Sequence, residues 1–97
     1  MGTNCVGPYL FTKLLLPILR QTAKSANQQD SVRITWAGSI AIDIYSPTNG
    51  VTFDESQGKP KIYADQNTNY GQSKAGNAFL SAHFANLVRK DGIISAV

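Results

Sequence analysis

Tyr70 and Lys74 are the two side chains whose types and spacing best suit proton chemistry. They stand four residues apart in the run Tyr70-Gly71-Gln72-Ser73-Lys74, which opens a stretch that reads as helix, so both fall on one face. A free phenol ionises near pH ~10 and is a poor acid or base at neutrality. A neighbouring ammonium stabilises the phenolate, and proton transfer is most efficient when the group's pKa approaches the working pH. Two ordinary surface residues would satisfy the spacing equally well, so the surroundings must decide. Gly71, Ser73, Ala75 and Gly76 around the pair leave room for a cofactor or another backbone to come close. Ser39 closes an apolar run upstream, and in open α/β sheets ligands sit beyond the carboxyl ends of the strands. A hydroxyl there can hydrogen-bond a carbonyl or an alcohol.

These residues must be held by a small number of elements. Leu10, Leu14, Leu15, Ile18 and Leu19 recur at helical spacing, which predicts a first helix over about 4–24. Pro8 suits its first turn, and Pro17 would remove a donor from its interior. The β-branched run 32–37 reads as a strand that stops at Gly38. Residues 40–68 read mostly as loop, with a turn at Ser46-Pro47-Thr48-Asn49-Gly50. A second helix is expected over about 69–90, capped by Asn67, Thr68 or Asn69 and ended by Asp91-Gly92. Its apolar face would be Ala75, Phe79, Ala82, Leu87 and Val88, and 93–97 reads as a strand. The order helix, strand, loop, helix, strand allows one right-handed parallel crossover.

Composition narrows the class. The 97 residues suffice for one domain with a modest core. With 42% hydrophobic and 15% charged residues, the chain is globular in composition. Its net charge of +3 comes from scattered basic residues, not a stripe, which argues against a nucleic-acid partner. Cys5 alone cannot form an internal disulfide, and one Cys with one His (His83) leaves no basis for a metal site. The apolar stretch 9–19 is broken by Lys13 and Pro17 and is too short for a membrane span. No basic leader precedes it, so a soluble, cytoplasmic protein is expected.

Taken together, the motifs resemble the short-chain dehydrogenase/reductase superfamily. Asn4-Cys5-Val6-Gly7 is similar to the start of the family's central helix, and Arg33-Ile34-Thr35-Trp36-Ala37-Gly38-Ser39 to its serine-ended strand. The run from Tyr70 to Asn77 resembles its catalytic helix, and 92–97 the strand that follows. Trp36, the Tyr45-Ser46-Pro47 turn and the long interval from Ser39 to Tyr70 are closest to fungal members related to retinol and 17β-hydroxysteroid dehydrogenases. Gly38 departs from the pattern, since many members have serine there. The resemblance implies a partial Rossmann-like α/β fragment of a doubly wound parallel sheet. It implies an NAD(P)-dependent oxidoreductase, with NADP favoured, acting on a small carbonyl or alcohol. Tyr70 would be the acid/base and would contact substrate and cofactor. Lys74 would stabilise the phenolate and bind the nicotinamide ribose, Ser39 would hold the substrate oxygen, and Asn4 would hold a water in a proton relay.

The resemblance also marks what residues 1–97 lack. The glycine-rich turn that brings backbone N–H groups to a pyrophosphate has no counterpart, nor does the substrate-side region after the last strand. Residues 1–97 therefore read as the central, catalytic segment of such a domain, and cofactor binding by this chain alone is not expected. The alternative is an inactive, truncated fragment that acts by association through its two long helices, which could pair it with itself or with a longer relative.

Overall fold

The computed structural model describes every residue from Met1 to Val97. A π-helical turn at Gly2–Val6 leads into α1 (Gly7–Ser25). Pro17 does not break α1. The carbonyl it leaves without a helical donor belongs to Lys13, and both residues are exposed, so water can meet the deficit. Strand β1 (Val32–Thr35) follows, then a short helix α2 (Ala41–Tyr45). A two-stranded hairpin of β2 (Phe53–Asp54) and β3 (Lys59–Pro60) comes next. Helix α3 (Gln66–Val88) passes through a 3₁₀ turn into β4 (Ile93–Ala96).

β1 and β4 pair in parallel, with Val32 opposite Ile93 and Thr35 opposite Ala96. The ladder continues one residue further, where Trp36 N–H donates to the Ala96 carbonyl at 2.9 Å. Parallel neighbours need a crossover, and α3 supplies it. This strand–helix–strand unit makes the chain a partial α/β, Rossmann-like fragment, as the order of elements predicts.

The core forms where the two long helices meet the sheet. Leu16, Trp36, Phe84, Val88 and Ile93 are buried together, and Tyr9, Leu19, Ile34 and Leu80 pack around them. Trp36 stacks on Phe84 with ring centroids 5.4 Å apart. Its indole N–H donates to Ser95 Oγ at 3.0 Å, and that hydroxyl donates to the Ser81 carbonyl at 2.9 Å. The polar atoms of this buried chain are thereby paired, which removes most of the desolvation cost. Arg20 joins α1 to the end of α3 through Asp91 at 3.0 Å.

Three expectations change. The segment 40–68 is not mostly loop, because α2 and the hairpin occupy part of it, with Asn49 (φ 67°) and Gly50 (φ 85°) making the left-handed turn between them. α3 begins three residues earlier than its composition suggests, capped by Asp65. Asp65 Oδ1 accepts the Asn67 N–H at 3.0 Å, which makes Asp65 the cap in place of Asn67, Thr68 or Asn69. The buried faces also differ. On α3, Phe79, Ala82 and Leu87 are exposed, while Gln72, Ser73, Asn77, Ser81 and Phe84 are buried. On α1, Leu10, Leu14 and Ile18 face outward, and Thr12 and Leu16 are the residues fully covered.

Candidate active site

Lys74 lies one turn of α3 after Tyr70, and its Nζ sits 5.7 Å from the centre of the Tyr70 ring. At that range the ammonium is attracted to the ring face. The same Nζ donates to the Ala37 carbonyl at 3.3 Å, at the carboxyl end of β1. Tyr70 is 46% exposed and presents its ring at the surface of the helix. Thus the pair that the spacing predicts to share a face does so, tied to the strand end that leads into Ser39.

Ser39 is half-buried, and its Oγ accepts the Ala41 N–H at 3.1 Å. That bond starts α2. α2 then packs on the first turns of α3 so closely that a Cβ added at Gly71 would lie 2.8 Å from the Ala41 carbonyl oxygen and the Ser46 nitrogen. Gly71 therefore brings the loop after Ser39 against the helix that carries Tyr70.

Asn4 sits in the π-helical turn, an irregularity that is frequent at functional sites. Its amide donates to Ser73 Oγ at 2.9 Å, and Ser73 Oγ donates to the Tyr70 carbonyl at 2.7 Å. Asn4 thus meets the residue next to Lys74, not Lys74 itself. Both line one cavity of about 380 Å³ between α1 and β1, together with Thr35, Ala37 and Asn77.

The small residues of α3 serve packing. Gly71 admits α2, and Gly76 admits Cys5, whose Sγ would lie 2.6 Å from an added Cβ. Cys5 is buried and donates to the Ser73 carbonyl at 3.0 Å. Burial pushes its thiol up from the ordinary 9.0, against a smaller downward pull from the N-terminal ammonium and Lys74. Of the two occupants expected beside these small residues, a cofactor or another backbone, the structure shows protein at both glycines: the backbone of α2 at Gly71 and Cys5 at Gly76.

Two buried side chains of this region stand outside the residues that the sequence singles out. Gln72 is buried and bridges the hairpin region, accepting from Thr52 N–H at 2.8 Å and donating to the Lys61 carbonyl at 2.9 Å. Asn77 is buried and donates to the Ala37 carbonyl at 3.3 Å, the same oxygen that Lys74 uses. A signal for Asn77 exists: it stands three residues after Lys74 and seven after Tyr70, on the same helical face. His83 packs edge-on against Phe84 at 5.4 Å, in the second half of α3.

The residues present fit only one end of a dinucleotide. The Lys74 ammonium is a donor suited to a ribose hydroxyl. Of the two long helices, α1 begins at a glycine followed by proline and α3 is capped by Asp65, so neither offers a glycine-rich cradle for a pyrophosphate.

Comparison with known proteins gives a consistent answer. The chain is 46% identical, over 98% of its length, to the short-chain dehydrogenase/reductase iacJ of Pestalotiopsis fici. It is 39% identical, over 95% of its length, to the short-chain dehydrogenase/reductase pkfC of Emericella nidulans. A short-chain dehydrogenase/reductase of Phomopsis amygdali is 39% identical over 98% of the chain. The chain spans 28% of the length of each of these relatives. No family model matches it, and no solved structure does. Along almost all of its residues the chain is similar to short-chain dehydrogenase/reductases of fungi.

Proposed function

We propose that residues 1–97 are the catalytic segment of an NAD(P)-dependent oxidoreductase of the short-chain dehydrogenase/reductase family, which reduces a small carbonyl compound or oxidises the corresponding alcohol. The observation that carries this reading is the Lys74 ammonium held over the Tyr70 ring and tied to the end of β1. In this reading Tyr70 gives a proton to the carbonyl oxygen as it becomes an alcohol, and takes it back in the reverse direction. Lys74 stabilises the phenolate left behind and donates to a ribose hydroxyl. Ser39 turns its hydroxyl from α2 to the substrate oxygen, where it meets the developing charge. Asn4 fixes the first turns of α3 through Ser73, and its amide borders the cavity in which a relaying water would lie. The nicotinamide supplies the hydride when bound. A cytoplasmic location goes with this reading.

A second reading rests on a different observation. Val6, Leu10, Phe11, Leu14 and Ile18 form an exposed apolar face along α1, with Leu14 70% and Phe11 66% accessible. Apolar surface of this extent favours association, so α1 would pack against another part of a longer polypeptide or a second subunit.

The test is a chimera in which 1–97 replaces the aligned segment of iacJ. Oxidation of NAD(P)H is followed with a panel of aldehydes and ketones. Activity that falls about a hundredfold or more in Tyr70→Phe supports the first reading. A chimera that turns over equally well with Phe at position 70 removes it.

A further inference from the structure

The Ala37 carbonyl accepts two donors, Lys74 Nζ and Asn77 Nδ2, each at 3.3 Å. Asn77 is only 3% exposed, and its Oδ1 is buried with no partner. Packing does not account for an amide here. A leucine would fill similar volume without leaving an acceptor unmet, and buried polar atoms are ordinarily paired. The amide's donor half already has its use, because it aims the carbonyl that anchors Lys74. Its acceptor half lies in the same neighbourhood, since Asn77 stands one turn beyond Lys74 and lines the same cavity. An ammonium has three N–H donors and one of them meets Ala37, so Lys74 has donors to spare.

We propose that Asn77 is the positioning residue for Lys74: its Nδ2 orients the Ala37 carbonyl as the first acceptor for the ammonium, and its Oδ1 is the second. The structure shows the first of these bonds, to the Ala37 carbonyl; with the free Oδ1 as second acceptor, Nζ is held beside the Tyr70 ring instead of sampling solvent on a flexible stem. The proposal rests on the reading that Lys74 serves Tyr70. It adds a residue outside the set Asn4, Ser39, Tyr70 and Lys74.

The experiment uses the whole 97-residue chain with trace acetic anhydride as the probe. Acetylation of Lys74 is read by peptide mass spectrometry and normalised to the exposed Lys90. Asn77→Leu removes an acceptor and frees the amine, so Lys74 should react about threefold faster. Asn77→Asp keeps the shape and places a carboxylate beside the ammonium, so Lys74 should react about threefold slower. A merely structural role for Asn77 loosens the site in both variants and moves the two rates the same way. Same-direction changes, or none, overturn the proposal. Should the leucine variant fail to fold, the aspartate variant decides: slower acetylation supports the proposal, and an equal or faster rate overturns it. Lys74→Met in the chimera keeps the two levels apart. If that variant retains full turnover while Asn77 still controls Lys74 acetylation, the catalytic reading fails and the positioning stands. If turnover collapses and acetylation ignores Asn77, the positioning fails and the catalytic reading stands.

Discussion

α1 and α3 are both long helices in a small chain, and they are buried on opposite principles. α1 carries the more regular apolar pattern, yet it fully covers only Thr12 and Leu16. α3 has almost no apolar asymmetry, yet it buries nine residues, most of them glycine, alanine or polar. The difference teaches that apolar periodicity reports how much surface a helix could bury, while burial itself depends on what lies opposite. Opposite the first turns of α3 lie α2 and the π-helical turn, each close enough to require a glycine, and the end of β1, which Lys74 and Asn77 reach. Opposite the outer face of α1 lies nothing in this chain.

Substitutions can break this comparison or sharpen it. The largest effect is expected at Phe84, which is 1% exposed, stacks on Trp36 and packs at a tilt against Tyr9. Phe84→Ala should cost about 3–5 kcal/mol, enough to unfold so small a domain. Chemical denaturation checks it, and a small loss would show that the helices do not share this core.

Gly71→Ala comes next. The new methyl meets backbone atoms of α2 that cannot turn away, so a loss of about 1–3 kcal/mol is expected. Gly76→Ala meets the Cys5 side chain instead. Adding Cys5→Ala should therefore recover much of the Gly76→Ala loss, and it should recover none of the Gly71→Ala loss. A double-mutant cycle in urea reads this difference.

Cys5 also gives a pH dependence. Its folded thiol is held above 9.0 by burial, so the unfolded chain loses its proton first as pH rises. Above pH 9.0 the folded state then binds more protons than the unfolded state, and stability falls until the folded thiol ionises too. The contribution is intact below that pH. Cys5→Ala should flatten this part of the alkaline decline, measured as the difference between the two unfolding midpoints from neutral pH upward.

The smallest change in stability is expected on α1. Leu14→Lys with Ile18→Lys should alter unfolding by no more than about 0.5 kcal/mol. The same pair should lower any self-association seen by sedimentation. A large loss of stability would mean that this face is packed after all.

The order of elements, the parallel pairing of 32–35 with 93–96, and the adjacency of Tyr70 and Lys74 were legible in the residues. Each follows from short-range rules: β-branched runs, helical spacing, and a crossover too long for a hairpin. Family resemblance was legible too, because it lies in motifs. The expected apolar faces were not, since periodicity names a face without naming its partner. α2 was missed because a one-turn helix depends on the Ser39 hydroxyl that accepts the Ala41 N–H and on Gly71, which lie on either side of it in the fold but far apart in sequence.

Residue type and local spacing thus determined which side chains could do chemistry and on which elements they ride. Only tertiary structure decided that Gly71 admits the backbone of α2 and Gly76 the side chain of Cys5. It alone decided that Asn4 meets Ser73, and that Lys74 and Asn77 converge on one carbonyl. The physical reason is distance along the chain. Ala37 is 37 residues from Lys74 and 40 from Asn77, and Asn4 is 69 from Ser73. Local spacing fixes what shares a turn of helix, whereas the packing of the whole chain fixes which backbone carbonyl waits at the end of a strand.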